Sequence, residues 1–458
     1  MHIDIPENVA AIIRRFNENG YEAYAVGGCV RDSLLNKQPQ DWDITTSASP
    51  DRIKSLFNKT IDTGIVHGTV TVRIGGESYE VTTYRIDGEY EDGRHPKRVC
   101  FTASLTEDLR RRDFTINAMA YSPDEGLIDI FGGMEDLKAG IIRCVGDADE
   151  RFAEDALRTL RAVRFAGQLG FNIEEKTYKA ICNASAGIKN ISFERIRVEL
   201  SKLIVSDGPD RLVIAYDPGL TGMFFPEWDR MMETTQNNPN HIYTVGIHTI
   251  KAVEAVKKIY KGNDERELRI LSWSALLHDV AKPVCRSCDE NGTEHFYGHP
   301  DKGADMAVKI LRRLKFDNYT INMVSRLIKY HDYRFSGSKK ELRRFISRAG
   351  IDIIPLLFIL MEADVSAQSD YHRDDKPRLL KYAGELFDEI VADGETLTIK
   401  ELKINGHDII EMGVSEGKQI GKILDKLFEE VIDNPKLNNR EYLLCRAEEI
   451  AEKNNFSF

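Results

Sequence analysis

Apolar positions recur at helical spacing from Asn8 to Asn19, where Val9, Ile12, Ile13 and Phe16 form one stripe. Pro50 to Phe57 reads as a second helix, with Ser49 as its N-cap. The period then shortens to two. Thr69-Val70-Thr71-Val72 and the run Tyr79 to Tyr84 read as strands joined across Gly75-Gly76, a hairpin signal. Tyr24-Ala25-Val26 is a strand end that feeds a Gly27-Gly28 turn and the start of a helix. From about residue 141 the pattern turns helical. A helix opening at Ala153 is expected to carry Asp155, Arg158, Arg161 and Arg164, with Asp155 and Arg158 as i,i+3 neighbours. Ser192 caps another helix reaching Leu200. The remainder is mainly helical.

With 458 residues, the chain is too long for one ordinary core, so two to four domains are expected. No stretch approaches the roughly 20 apolar residues that span a bilayer, and no export signal follows Met1. These readings point away from a membrane. Seven scattered cysteines form no disulfide framework, which points to a reducing cytoplasm. The net charge of −11 argues against nucleic-acid binding over the whole surface, but leaves room for a local basic groove. Arg110-Arg111-Arg112 and the arginines of 158–164 are candidates for it.

The chemistry concentrates first between Gly27 and Asp43. Exposed amides at a helix start beside Arg31 suit a phosphate, and Gly28 lets the backbone approach it. Asp41 and Asp43, two apart on an expected strand, point the same way, and two such carboxylates call for a cation. Hard oxygen ligands suit Mg2+ arriving with a nucleotide. Glu80 reads equally as a third carboxylate or as an exposed strand residue.

The order Val26-Gly27-Gly28-Cys29-Val30-Arg31-Asp32, then Asp41-Trp42-Asp43, resembles the signature of class II nucleotidyltransferases, the branch holding tRNA CCA-adding enzymes and bacterial poly(A) polymerases. Arg111-Arg112-Asp113-Phe114-Thr115-Ile116-Asn117-Ala118 resembles that family's second motif. The resemblance implies Arg112 and Asp113 beside the sugar and phosphates of the incoming nucleotide, with Asn117 bracing the site. It also tips Glu80 toward the catalytic set of Asp41 and Asp43. Glu154-Asp155-Ala156-Leu157-Arg158 resembles the family's base-selecting motif. Cytosine and adenine both present an amino donor beside a ring-nitrogen acceptor, a pattern that one carboxylate and one guanidinium can match. That role is carried to Asp155 and Arg158, and phosphate contacts to Arg161 and Arg164. The polar run Arg85 to Thr106 is similar to the loop that full CCA-adding members need and CC-adding ones lack.

The C-terminal half holds a second set. His248, Leu276-Leu277-His278-Asp279, His299, His331 and a distal Asp364 resemble the HD metal-dependent phosphohydrolase domain. The resemblance implies His248, His278, Asp279 and Asp364 on one divalent transition metal, with His299 and His331 available to a second. His241 raises the local histidine count. Cys285 and Cys288, with His295 and His299 beyond, offer a rival zinc set. Gly413, Gly417 and Gly421 read either as a phosphate approach or as close helix packing.

The expected architecture is multidomain: an α/β nucleotidyltransferase head, a mixed sheet with flanking helices (1–140); an all-α neck (141–205); a helical linker (206–240); an HD domain (241–370); and a helical tRNA-binding tail (371–458). The implied activity is template-free addition of C, C and A to a tRNA 3′ end from CTP and ATP. No obligatory protein partner is evident. Its rivals are a poly(A) polymerase, an A-adding or CC-adding specialist, and an RNA-binding protein in which only the HD half is active.

Overall fold

The computed structural model describes residues 2–87, 99–237, 242–368, 375–415 and 417–454. The chain divides into two compact units, Met1–Asp229 and Arg230–Phe458. His241 and residues 88–98, half of the polar run expected as a loop, lie outside the described residues.

The first unit carries strands β1 (Ala23–Val26), β2 (Asp43–Thr46), β3 (Thr60–Gly64), β4 (Thr69–Ile74), β5 (Glu77–Thr83), β6 (Arg85–Asp87), β7 (Val99–Phe101), β8 (Met119–Ser122) and β9 (Gly126–Asp129). Seven of them form one sheet in the order β3-β4-β5-β2-β1-β8-β9, while β6 and β7 pair with each other. The sheet is mixed, because β2 and β5 run parallel and their neighbours antiparallel. The β4–β5 turn is the expected Gly75-Gly76, both residues at positive φ (61° and 89°), which a side chain resists. In the β2–β5 register Asp43 stands opposite Glu80.

The helix Glu7–Glu18 turns Val9, Ile12, Ile13 and Phe16 into the core with Ile44, Val70 and Val81 of the sheet. One expectation fails here. Asp41 precedes β2 rather than sharing the strand with Asp43, because β2 begins at Asp43.

A second correction concerns the neck. The helix expected to run unbroken from Ala153 is two helices, Ala148–Glu154 and Leu157–Leu169. Asp155 sits between them in extended backbone (φ −146°, ψ 100°). Its carboxylate accepts from the Leu157 amide at 3.1 Å, the kind of local bond by which aspartate interrupts one helix and starts the next. Asp155 and Arg158 are therefore not neighbours on one helical face. The helix Phe193–Ile204 packs against Leu157–Leu169.

In the second unit, helices Val245–Ile259, Glu265–Leu277, His299–Arg313, Asn318–Tyr330 and Ile354–Ser366 pack around one another. A separate apolar cluster of Ile409, Ile423, Leu427, Leu443 and Ala447 organises the tail. Among the described residues no Cβ contact within 4 Å awaits a side chain at Gly417 or Gly421, so close packing against those residues does not explain the two glycines. Among the described residues no helix is long and apolar enough to cross a membrane.

Candidate active sites

The strand–glycine–helix turn behaves as its residues dictate. Gly27 has φ +83°, and a Cβ there would lie 3.0 Å from Nη1 of Arg112. Glycine is required both for the backbone and for the arginine crossing it. Asp43 feels three neighbours. Desolvation raises its pKa, the Arg112 guanidinium lowers it, and Glu80 and Asp41 raise it again, with a net upward shift. Burial is the largest cause, and the two neighbouring carboxylates add to it, a condition on Asp43 that a divalent cation relieves. Among the described residues the three do not close to within 4.8 Å of one another.

Arg112 also lines a cleft of about 560 Å³ with Asp113, Asp155, Arg158, Arg161 and Arg195. It thus belongs both to the surroundings of Asp43 and to the cleft. Asp113, buried, accepts from Asn117 Nδ2 at 3.1 Å and from Arg161 Nε at 2.8 Å. Asn117 Oδ1 in turn accepts from Arg31 Nη1 at 2.6 Å. Arg31 is buried 5.0 Å from the Phe165 ring, whose face Arg164 approaches to 3.8 Å. Arg164 is buried too, bound to Glu199 and Gln168. Arg31 and Arg164 therefore brace the neck from inside, while Arg112, Arg158 and Arg161 line the cleft. Gly28 opens the short helix beside them.

Asp155 and Arg158 line the same cleft but do not bond to each other in the contacts observed. Arg195 donates to both Asp155 oxygens, at 2.6 and 3.2 Å. Arg158 donates to Glu154 Oε2 at 2.5 Å and to the carbonyls of Arg151 and Arg111 at 3.0 Å each. Sequence reasoning missed Arg195 and Asp108. Asp108 is fully buried, accepts from Thr45 Oγ1 and Arg111 Nε at 3.0 Å each, and stands 3.7 Å from Arg112. Its i,i+3 and i,i+4 spacing to Arg111 and Arg112 was the available signal.

The second unit gathers His248, His278, Asp279, His299, His331 and Asp364. Two groups are close enough for an ion: His248, His278 and Asp279, and Asp279, His299 and His331. Asp364 joins the first, 2.9 Å from His248 Nε2 and 3.5 Å from His278 Nε2. The tautomers follow from the other ring nitrogen. Nδ1 of His278, His299 and His331 lies 2.8, 2.9 and 2.7 Å from the carbonyls of Ala275, Phe296 and Ile328, and Nδ1 of His248 lies 3.3 Å from that of Ala367. A carbonyl only accepts, so each Nδ1 donates to it, and each Nε2 is left facing the carboxylates. His278 Nε2 and both Asp279 oxygens are buried without a well-directed hydrogen bond. Imidazole nitrogens converging on a buried carboxylate fit a cation. Lys282 turns inward, 2.7 Å from Asp279 Oδ2. The rival zinc set does not assemble among the described residues: His299 is taken up by the cluster and His295 pairs with Asp289 at 3.0 Å.

Three family models match: the poly A polymerase head domain over residues 23–143, the probable RNA and SrmB-binding site of polymerase A over 170–232, and the HD domain over 241–368. A CCA-adding enzyme from Ligilactobacillus salivarius is 35% identical over 96% of this chain and 96% of its own.

The chain belongs to the CCA-adding enzyme family.

Another CCA-adding enzyme, from Leuconostoc mesenteroides, is 46% identical over 51% of this chain and 60% of its own length. The crystal structure of the Bacillus stearothermophilus CCA-adding enzyme in complex with CTP superposes with a TM-score of 0.72 at 28% identity, covering 98% of each chain. CCA-adding enzymes are nucleotidyltransferases, and the expected α/β head with a helical HD-bearing remainder is the fold found. Nucleotidyltransferase and HD domains both bind divalent metals.

Proposed function

We propose that this chain adds C, C and A to the 3′ end of tRNA, using CTP and ATP and no nucleic-acid template. The observation that carries the reading is the cleft in which Arg112, Asp113, Asp155 and Arg158 meet, with Arg112 also beside Asp43. Asp41 and Asp43, aided by Glu80, would hold Mg2+. When bound, the ion lowers the pKa of the attacking hydroxyl and offsets charge on the departing pyrophosphate. The RNA 3′-hydroxyl attacks the α-phosphate in line, one P–O bond forms as the bond to pyrophosphate breaks, and the hydroxyl proton passes to solvent. Arg112 and Asp113 orient the nucleotide, with Asn117 and Arg161 fixing Asp113. Asp155 accepts from the exocyclic amino group of C or A, and Arg158 donates to the adjacent ring nitrogen. Guanine and uracil present the opposite pattern on that edge and are refused.

The converging imidazole nitrogens support a second reading. The HD cluster holds a transition metal and hydrolyses phosphoesters, with His299 and His331 serving a second ion. Free cysteines throughout are consistent with a cytoplasmic protein.

The test is extension of tRNA lacking its 3′ end by the pure protein. Three-nucleotide products from CTP and ATP support the reading, and long A tracts replace it with poly(A) polymerase. Asp41→Ala should abolish transfer and spare phosphatase activity. Retained transfer would remove the metal assignment.

A further inference from the structure

The HD match ends at residue 368, yet the cavity beside the cluster does not. About 410 Å³ in volume, it is bounded by His331 and Asp364 on one side and by Lys376 and Leu380 of the following helix, Asp375–Ala392, on another. Of the groups around the cluster, the imidazoles are oriented by backbone carbonyls. Asp364 is oriented differently. Gln368, two residues beyond the end of the helix Ile354–Ser366 that carries Asp364, donates from Nε2 to both Asp364 oxygens, at 3.2 and 3.1 Å.

A glutamine amide has two ends, and only the nitrogen end can donate to a carboxylate. Lys376 decides which end faces inward. Its ammonium, which can only donate, lies 2.7 Å from Gln368 Oε1. With the oxygen held by Lys376, the nitrogen must face Asp364. The flipped amide would set oxygen against carboxylate and nitrogen against ammonium, two repulsive contacts.

We propose that Lys376 and Gln368 are positioning residues for the HD metal site: Lys376 fixes the amide of Gln368, and that amide fixes Asp364 as a ligand. The inference rests on the HD reading above. It makes the metal site depend on a residue outside the HD match. Partners that orient a ligating carboxylate are worth about 10- to 100-fold in metal affinity.

The test is Co2+ titration of the full chain by calorimetry and visible absorption, after metal removal and with melting temperature as a folding control. Gln368→Ala and Lys376→Met should each weaken Co2+ binding about 10-fold and alter the Co2+ spectrum. Lys376→Arg, which keeps a donor, should stay within about twofold of the native protein. Native affinity and spectrum in both Gln368→Ala and Lys376→Met, while Asp364→Ala loses Co2+, would overturn the positioning role and leave the HD site standing. Co2+ binding unaffected by Asp364→Ala would overturn the HD reading itself.

Discussion

Both carboxylate oxygens of Asp155 face the guanidinium of Arg195, 40 residues along the chain, at 2.6 and 3.2 Å. A two-pronged guanidinium fixes the plane of a carboxylate as well as its position. If Asp155 reads the amino group of the incoming base, Arg195 holds it at the angle required. Arg195→Lys keeps the charge and loses the fork. It should lower the ratio of kcat/KM for CTP over UTP by about 10-fold, the scale of one good base contact, while kcat for CTP falls less. Competition between labelled CTP and UTP measures it. An unchanged ratio would leave Arg195 a neck brace only.

Asp43 carries a conflict between stability and chemistry. Its pKa is raised by desolvation first, with Glu80 and Asp41 adding to the shift against Arg112. The folded protein therefore disfavours its charge in the absence of a cation. Asp43→Asn should raise the melting temperature of the metal-free protein while reducing nucleotide addition on the order of 10³-fold, the loss of several kcal/mol of transition-state stabilisation. Added Mg2+ should reduce or reverse the thermal difference. Scanning calorimetry with and without Mg2+ checks this.

What was legible follows the range of the physics. The helix Glu7–Glu18 and the Gly75-Gly76 hairpin are local, set by periodicity and by turn residues at positive φ. The order of His248, His278, Asp279 and Asp364 was legible because its spacing is unusual. The break at Asp155 was not, since Ala153 to Arg164 reads as good helix and Arg195, the partner of Asp155, is remote in sequence. The fates of Arg161 and Arg164 were hidden for the same reason: Asp113 and Glu199 come from other elements. Residues 88–98, half of the run Arg85 to Thr106 on which the choice between CCA and CC addition rests, lie outside the described residues.

Asp113 sets a pH dependence. Burial pushes its carboxyl up, but the charge and hydrogen bonds of Arg161, with the Asn117 amide and the charge of Arg158, outweigh it and bring the pKa down to about 2. The folded value lies below the unfolded one of 3.8. The carboxylate therefore contributes stability above pH 3.8 and loses that contribution as pH falls toward 2. The contribution at neutral pH is about 2 kcal/mol. Asp113→Asn should lower the stability of its unit by that order at pH 7. The gap to the native protein should close progressively between about pH 4 and pH 2. Urea unfolding across that range, followed by the transition of the first unit, reads it directly.

Chelation should separate the two chemistries. The Nε2 atoms of His278 and His299 face Asp279 at 3.3 and 3.4 Å, so an ion on them draws on side chains that are already in place. Because a cation binds the folded arrangement and not the unfolded chain, it stabilises by mass action, by about 2.7 kcal/mol at 100 times its Kd. Protein stripped with EDTA, then returned to Mg2+ alone, should add CTP and ATP to tRNA normally but hydrolyse no phosphoester. Adding Co2+ or Mn2+ should restore hydrolysis and raise the thermal transition of the second unit, leaving that of the first in place. His278→Ala should abolish both the restored hydrolysis and the thermal gain without changing tRNA extension. A thermal gain that survives in His278→Ala would mean the ion binds elsewhere.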